Sequence, residues 1–214
     1  MTRSLYVLRH GETLFNVQRK TQGWCDSPLT ARGIEQARIA GRTLAARGLV
    51  FDRFLSSTSE RCCDTLELAV EAGWGEVPPY ERNKGLKEFN FGAFEAKDQF
   101  LERFPHGDFY LAYGGDSEHT ALARFSGALD RIMAQGGERV LVVSHGGVGI
   151  NFFSAVVPNP EPGTVPFGNC ICYHYEYDEA RAGQGVGAFS WVETIVPDFS
   201  ALDDPDLPPQ VTWR

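Results

Sequence analysis

The chain has 214 residues, 43% hydrophobic and 22% charged, with 20 basic side chains against 28 acidic ones for a formal charge of −8. That balance describes one globular domain able to bury roughly 70% of the surface its unfolded chain exposes. It argues against nucleic acid or an anionic membrane as partner. An anionic small ligand is still compatible, provided that arginines gather locally around it.

The five cysteines (Cys25, Cys62, Cys63, Cys170, Cys172) are odd in number and lack CxxC spacing, the pattern of reduced thiols in a cytoplasmic protein rather than of a disulfide framework or a zinc site. Met1–Arg9 is too short and too quickly charged for a secretory leader, and no apolar run approaches the ~20 residues of a membrane span.

In chain order, Ser4–Leu8 reads as a buried strand running into the polar loop Arg9-His10-Gly11. Pro28–Gly48 reads as a helix, with Thr30 as N-cap and Ile34, Ala37, Ala40 and Leu44 as its apolar stripe. A second short strand, Phe51–Leu55, precedes Ser56-Ser57 and a helix through Ala72 capped by Ser57 or Ser59. The stretch from about Asn90 to Arg124 is dense in aromatics (Phe91, Phe94, Phe100, Phe104, Phe109, Tyr110, Tyr113) and reads as a small helical insertion covering one side of a site. After the turn at Gly136-Gly137, Arg139–Val143 is the clearest strand, followed by Ser144-His145-Gly146-Gly147 and an apolar helix over about Val148–Val157. Cys170–Tyr177 and Ala188–Ile195 read as a closing antiparallel pair. The proline-rich, acidic residues from Pro197 to the end read as an extended tail.

Strands alternating with helices predict a single α/β domain over the whole chain, a three-layer sandwich whose mainly parallel sheet carries helices on both faces. Ligands bind such sheets at the carboxyl ends of the strands. Arg9-His10-Gly11, Ser56 to Arg61 and Ser144-His145-Gly146-Gly147 all follow expected strands, and a fourth polar cluster surrounds Glu88.

These residue types suit a phosphate monoester. Arginine forks and helix-start amides neutralise the phosphoryl oxygens, a neutral imidazole can attack phosphorus, and a carboxylic acid can protonate the departing alkoxide. The residues themselves leave open which histidine attacks, and whether Glu12, Glu81, Glu88 or Glu95 is the acid.

Arg9-His10-Gly11-Glu12-Thr13 with Asn16 resembles the signature of the histidine phosphatase superfamily, the phosphoglycerate mutase-like family. Further stretches are similar in the same order: Gln22-Gly23-Trp24 with Asp26–Thr30 and Gly33, Ser56-Ser57 with Arg61 and Thr65, Leu86-Lys87-Glu88 with Phe91-Gly92 and Glu95, and Ser144-His145-Gly146-Gly147. The resemblance implies that His10 is the phosphorylated nucleophile, that Arg9 and Arg61 hold the phosphoryl group, that His145 donates to its oxygens, and that Glu88 is the general acid and later base. It places Asn16, Gln22, Gly23 and the Gly146 amide around the bound phosphate. Two departures stand out: Ala96 where glycine commonly follows the second glutamate, and Gly115-Asp116-Ser117 in place of a more usual Gly-Glu-Ser.

The expected activity is metal-independent, cofactor-free hydrolysis of a small phosphorylated metabolite. Phosphoglycerate mutase is the alternative within the family, and a non-catalytic phospho-ligand binding module the alternative outside it. The few basic residues of Lys97–Ser144 (Lys97, Arg103, Arg124, Arg131, Arg139) favour the phosphatase, because a second phosphate would be poorly held. His106, His119 and His174 read as packing or surface residues. Oligomeric state is left open, with a homodimer as one candidate.

Overall fold

The structure, a computed structural model, describes residues 2–99, 106–158 and 168–202. Strand β1 (Thr2–Arg9) is followed by a one-turn helix α1 (Leu14–Val17) and by α2 (Ala31–Ala46). Strand β2 (Arg53–Ser57) leads into α3 (Glu60–Trp74), and the short strand β3 (Glu81–Asn83) into 3-10 turns. Then come α4 (Glu118–Ala134), β4 (Arg139–Ser144), α5 (Gly146–Val156) and the strands β5 (Cys172–Asp178) and β6 (Phe189–Ile195).

The strands form one sheet in the order β3-β2-β4-β1-β5-β6. The first four are mutually parallel, and β5 runs antiparallel to both β1 and β6, as the two closing strands predicted. Alternation along the central strands makes the three layers. Leu5 and Val7 of β1, with Val140 and Val142 of β4, pack with Phe125, Leu129 and Met133 of α4 and Val148 and Phe152 of α5. The intervening Tyr6, Leu8, Leu141 and Val143 pack on the other face with Ala37, Ala40 and Leu44 of α2 and Leu66 and Val70 of α3.

The parallel register also aligns three chain exits on one edge. Arg9 pairs with Ser144, and Ser56 of β2 with Val143, so β1, β2 and β4 release their loops side by side.

Where the structure differs from expectation, the causes are local. The helix from Glu118 to Ala134 is longer and later than an insertion ending near residue 125 suggested; Ser117 and Thr120 form a reciprocal capping box that starts it. The described part of the aromatic stretch contains the 3-10 turns Gly92–Phe94 and Phe109–Tyr113. Strand β3 was not expected: Glu81-Arg82-Asn83 has no β-forming composition and is extended by its pairing with β2. Phe100, Phe104 and the tail beyond Leu202 lie outside the described residues. Among the described residues the five cysteines are free thiols, and no helix is long and apolar enough to cross a membrane.

Helices α2 and α3 approach through glycine. A Cβ on Gly41 would lie 1.9 Å from the Ala69 carbonyl oxygen, which is backbone and cannot swing aside. Gly41→Ala should therefore force the helices apart and cost about 1–3 kcal/mol, the usual penalty for overpacking, read as a lower urea midpoint with an unchanged slope. A midpoint equal to that of the parent chain would show that the contact relaxes freely.

Candidate active site

The loop after β1 is fixed before any side chain is considered. The His10 amide donates to the Ser144 carbonyl at 3.0 Å, and the Gly11 amide donates to Thr65 Oγ1 at 3.0 Å. Thr65 Oγ1 in turn donates to the Arg61 carbonyl, so strand ends β1 and β4 and helix α3 are tied together at this point. The His10 ring is buried, and its Nδ1 lies 2.8 Å from the Gly11 carbonyl oxygen. A carbonyl can only accept, so Nδ1 carries the proton and the neutral ring keeps its lone pair on Nε2. Burial, then the positive charges of Arg61 and Arg9, push the His10 pKa well below the ordinary 6.5. The result is a neutral imidazole at physiological pH.

Arg61 is completely buried on α3. Its Nη1 donates to the Cys25 carbonyl and Asp26 Oδ1 at 2.9 and 2.8 Å, and its Nη2 to the Gly23 carbonyl and His145 Nδ1 at 2.8 and 2.9 Å. Only its Nε–H, also buried, has no partner among the described residues. Because arginine has no acceptor, His145 Nδ1 must accept; its proton therefore sits on Nε2, which donates to Ser57 Oγ at 2.8 Å. Burial first, then Arg61, holds His145 neutral as well, well below 6.5. The two histidine rings meet edge to face with centroids 5.5 Å apart. Arg9 ends β1 beside them, its charge felt by His10, and shares with His145 and Gly146 a water-sized cavity.

Glu88 is buried against the start of α5. Its Oε1 accepts from the amides of Phe89 and Val148 at 3.0 and 2.8 Å, and its Oε2 from Gly147 at 2.7 Å. A helix start is a favourable seat for a carboxylate. The other three carboxylates considered from sequence are placed differently. Glu12 accepts from the Thr30 hydroxyl, Glu81 is exposed on β3 near Arg53, and Glu95 accepts from the amides of Gly23, Trp24, Cys25 and Phe91.

The remaining expected residues serve the loop's own architecture. Asn16 Oδ1 accepts from the Thr13 amide in a capping box and from Asn169. Gln22 bridges the hydroxyls of Thr13 and Ser27. Gly23 has both backbone groups engaged, the amide by Glu95 and the carbonyl by Arg61. A Cβ there would sit 2.2 Å from the Phe89 carbonyl oxygen, so close backbone passage explains this glycine. Gly146 opens α5, while its neighbours Gly147 and Val148 give their amides to Glu88.

Two contributors were not singled out from sequence. Ser57, expected as part of a motif or as a helix cap, instead orients His145, and Ser59 holds the N-cap position of α3 without a side-chain capping bond. Asn169 donates to the His10 carbonyl at 3.0 Å from the turn before β5, and only its position just ahead of an expected strand could have marked it. His106 packs edge-on against Phe89, Phe91 and Tyr110, and His174 stacks on Tyr6, both as packing residues. Tyr110 is fully buried and, with Phe89 and Phe91, joins the same core as α4 and α5, so the described aromatic stretch is first core. Ala96 adopts φ +62, the left-handed conformation that favours glycine, which is where the sequence departs from the family pattern.

Residues 5–183 match the histidine phosphatase superfamily, branch 1. The chain belongs to this superfamily. It is 30% identical over 152 residues to a broad-specificity phosphatase of Saccharomyces cerevisiae, covering 67% of this chain and 65% of that protein. It is 35% identical over 162 residues to a 2,3-bisphosphoglycerate-dependent phosphoglycerate mutase of Methylorubrum extorquens, covering 68% of this chain and 75% of that one. The solved structure of phosphoglycerate mutase from Bacillus anthracis superposes with a TM-score of 0.75 over 91% of this chain and 92% of that chain, at 24% identity, a likeness of fold. The relatives of this chain thus include both phosphatases and mutases, and its mixed sheet with flanking helices is the fold of that family.

Two buried neutral histidines make stability depend on pH. Their folded-state pKa values lie below the ordinary 6.5, so above that pH neither folded nor unfolded imidazoles bind protons. As pH falls from 6.5 through the lower folded-state values, the unfolded chain takes up protons that the folded protein refuses, and stability is lost. The urea midpoint should therefore drop between pH 7.5 and 5.5, and drop less in His10→Gln. Parallel profiles for the two proteins would mean that His10 is not held neutral by the fold.

Proposed function

We propose that this protein is a metal-independent cytoplasmic phosphatase that hydrolyses a small phosphorylated metabolite through a phosphohistidine at His10. The observation that carries the reading is the neutral, buried His10 with its proton pinned on Nδ1, beside Arg9 and the unpartnered Nε–H of Arg61. Nε2 attacks phosphorus, the N–P bond forms, and the ester P–O bond breaks. Arg9 and the Arg61 Nε–H offset charge on the phosphoryl oxygens. His145 joins them by turning its Nε2–H from Ser57 to the phosphoryl group. The Gly146 amide at the head of α5, with Asn16 and Gln22 shaping the adjoining loop, completes the pocket.

Glu88 gives its proton to the departing alkoxide. Of the four lone-pair positions of a carboxyl group, amides fill both on Oε1 and one on Oε2, which leaves Oε2 as the atom that exchanges protons with substrate. In the second half-reaction the same oxygen takes a proton from water, the water oxygen bonds to phosphorus, the N–P bond breaks, and inorganic phosphate leaves. Neutralisation by arginine and imidazole needs no divalent ion, and among the described residues no three His, Cys, Asp or Glu side chains converge as a metal site.

Mutase activity is the second reading, favoured by the 35% identity to phosphoglycerate mutase. Hydrolysis is preferred because two of the cations after Glu95 lie away from the site and Arg124 is bonded to protein carbonyls. Arg139 sits at the opposite end of β4 from Ser144, and Arg131 is exposed in the last turn of α4.

Mixing the protein with a phosphomonoester and a chelator should give turnover and, in intact-mass spectra of an acid-free quench, a labile phosphoryl adduct absent from His10→Ala. Binding with no adduct and no released phosphate would leave a phospho-ligand binding module instead. Transfer exceeding hydrolysis when a phosphoglycerate is supplied would make it a mutase.

Glu88→Gln should slow the phosphorylation step of alkyl phosphates by about 10²–10⁴-fold, and an aryl phosphate with a stable phenolate far less. Pre-steady-state bursts isolate that step from water attack. Equal slowing of both substrates would remove Glu88 as the acid.

A further inference from the structure

The carboxyl group of Glu88 is held by α5, but its main chain is held by something else. Arg124, on the second turn of α4, turns its guanidinium into the loop that carries Glu88. Its Nη1 donates to the carbonyls of Gly85 and Lys87 at 3.2 and 2.6 Å, and its Nη2 to the Glu88 carbonyl at 2.9 Å and to Asp116 Oδ2 at 3.0 Å. Three carbonyls from four consecutive residues therefore converge on one planar fork. The Glu88 carbonyl also accepts from Trp24 Nε1 at 2.9 Å, so that peptide is gripped from two sides.

Asp116 does more than balance the charge. The same Oδ2 accepts from the Asn90 amide at 3.0 Å, and the Asp116 amide donates to the Asn90 carbonyl at 2.7 Å. The residues on either side of Glu88 are thus fixed to the segment that caps α4: residues 85–88 through Arg124, and residue 90 through Asp116. The aspartate that departs from the family's more usual glutamate is the second half of this clamp. All four Nη contacts of Arg124 go to protein, so this side chain is committed to shaping the loop rather than to contacting substrate.

We infer that Arg124, with Asp116, is a positioning residue for the general acid: it fixes the Glu88 peptide so that Oε2 is presented at the leaving-group oxygen. The inference rests on the reading of Glu88 as the acid. Holding the main chain from α4 while α5 holds the carboxyl group leaves Glu88 little freedom in the side-chain torsions between them. Releasing the main chain lets Oε2 wander, and proton transfer is sensitive to such displacement.

The test compares substrates rather than rates alone. In Arg124→Met, the phosphorylation step for an alkyl phosphate should fall by about tenfold or more, while that for an aryl phosphate with a good leaving group stays within about threefold of the parent protein. KM for both should change little. In the Arg124→Met, Glu88→Gln double variant the effects on the alkyl substrate should be less than multiplicative, since both act through one proton transfer. If Arg124→Met does not fold, Arg124→Lys serves: it keeps the charge but cannot span three carbonyls and a carboxylate, and should show the same selective loss in weaker form.

Equal slowing of alkyl and aryl substrates, or multiplicative effects in the double variant, would make Arg124 a general structural support and overturn the inference. If Glu88→Gln itself showed no leaving-group dependence, the assignment of the acid would fall instead, so the two failures are distinguishable.

Discussion

A fully buried guanidinium stands at the centre of this molecule, and much of the site is arranged to keep it there. An unpaired charge out of water is costly, so Arg61 must find acceptors on every side. It finds them in the carbonyls of Gly23 and Cys25, the carboxylate of Asp26 and the Nδ1 of His145. Each of those partners is constrained in return: the loop from Gly23 to Asp26 folds over α3, and His145 is confined to one tautomer. The same charge disfavours a proton on either histidine. One cation therefore fixes a loop path and a tautomer and disfavours protonation of His10, while its Nε–H has no partner among the described residues.

The sheet converts this arrangement into a site by geometry alone. Parallel strands β1, β2 and β4 exit on the same edge, so residues far apart in the chain become neighbours. Helix α5 begins at that edge, and its first amides seat Glu88. Glu88 is thus seated at a helix start while His10 follows a strand end, and the two are carried by different layers of the fold.

Much of this was legible in the sequence. The continuous apolar runs in Ser4–Leu8 and Arg139–Val143 mark strands buried on both faces, and the stripe Ile34, Ala37, Ala40, Leu44 marks a helix buried on one. Polar clusters after three expected strands marked Arg9, His10, Arg61 and His145, and the family resemblance added Glu88 from among four carboxylates. What was not legible depends on backbone groups. Nothing in the letters says that Gly23 spends its amide on Glu95, or that Asn16 and Gln22 hold hydroxyls and amides of their own loop. Helix α4 was blurred by the aromatic density before it, although Ala121, Phe125, Leu129 and Ile132 are spaced as a helix. Strand β3 could not be read at all, since its extension comes from the neighbour it pairs with.

Glu95 illustrates how one carboxylate can set a main-chain path. It grips the amides of Gly23, Trp24, Cys25 and Phe91, drawing two loops together. An amide is common to nearly every residue type, so the grip is indifferent to what side chains stand at positions 24, 25 and 91. The side chains at two of those positions do separate work: Trp24 Nε1 donates to the Glu88 carbonyl, and Phe91 packs edge-on against His106 and Tyr110. Main-chain path and side-chain packing are thus secured by different atoms of the same residues, so a substitution that loosens one leaves the other in place.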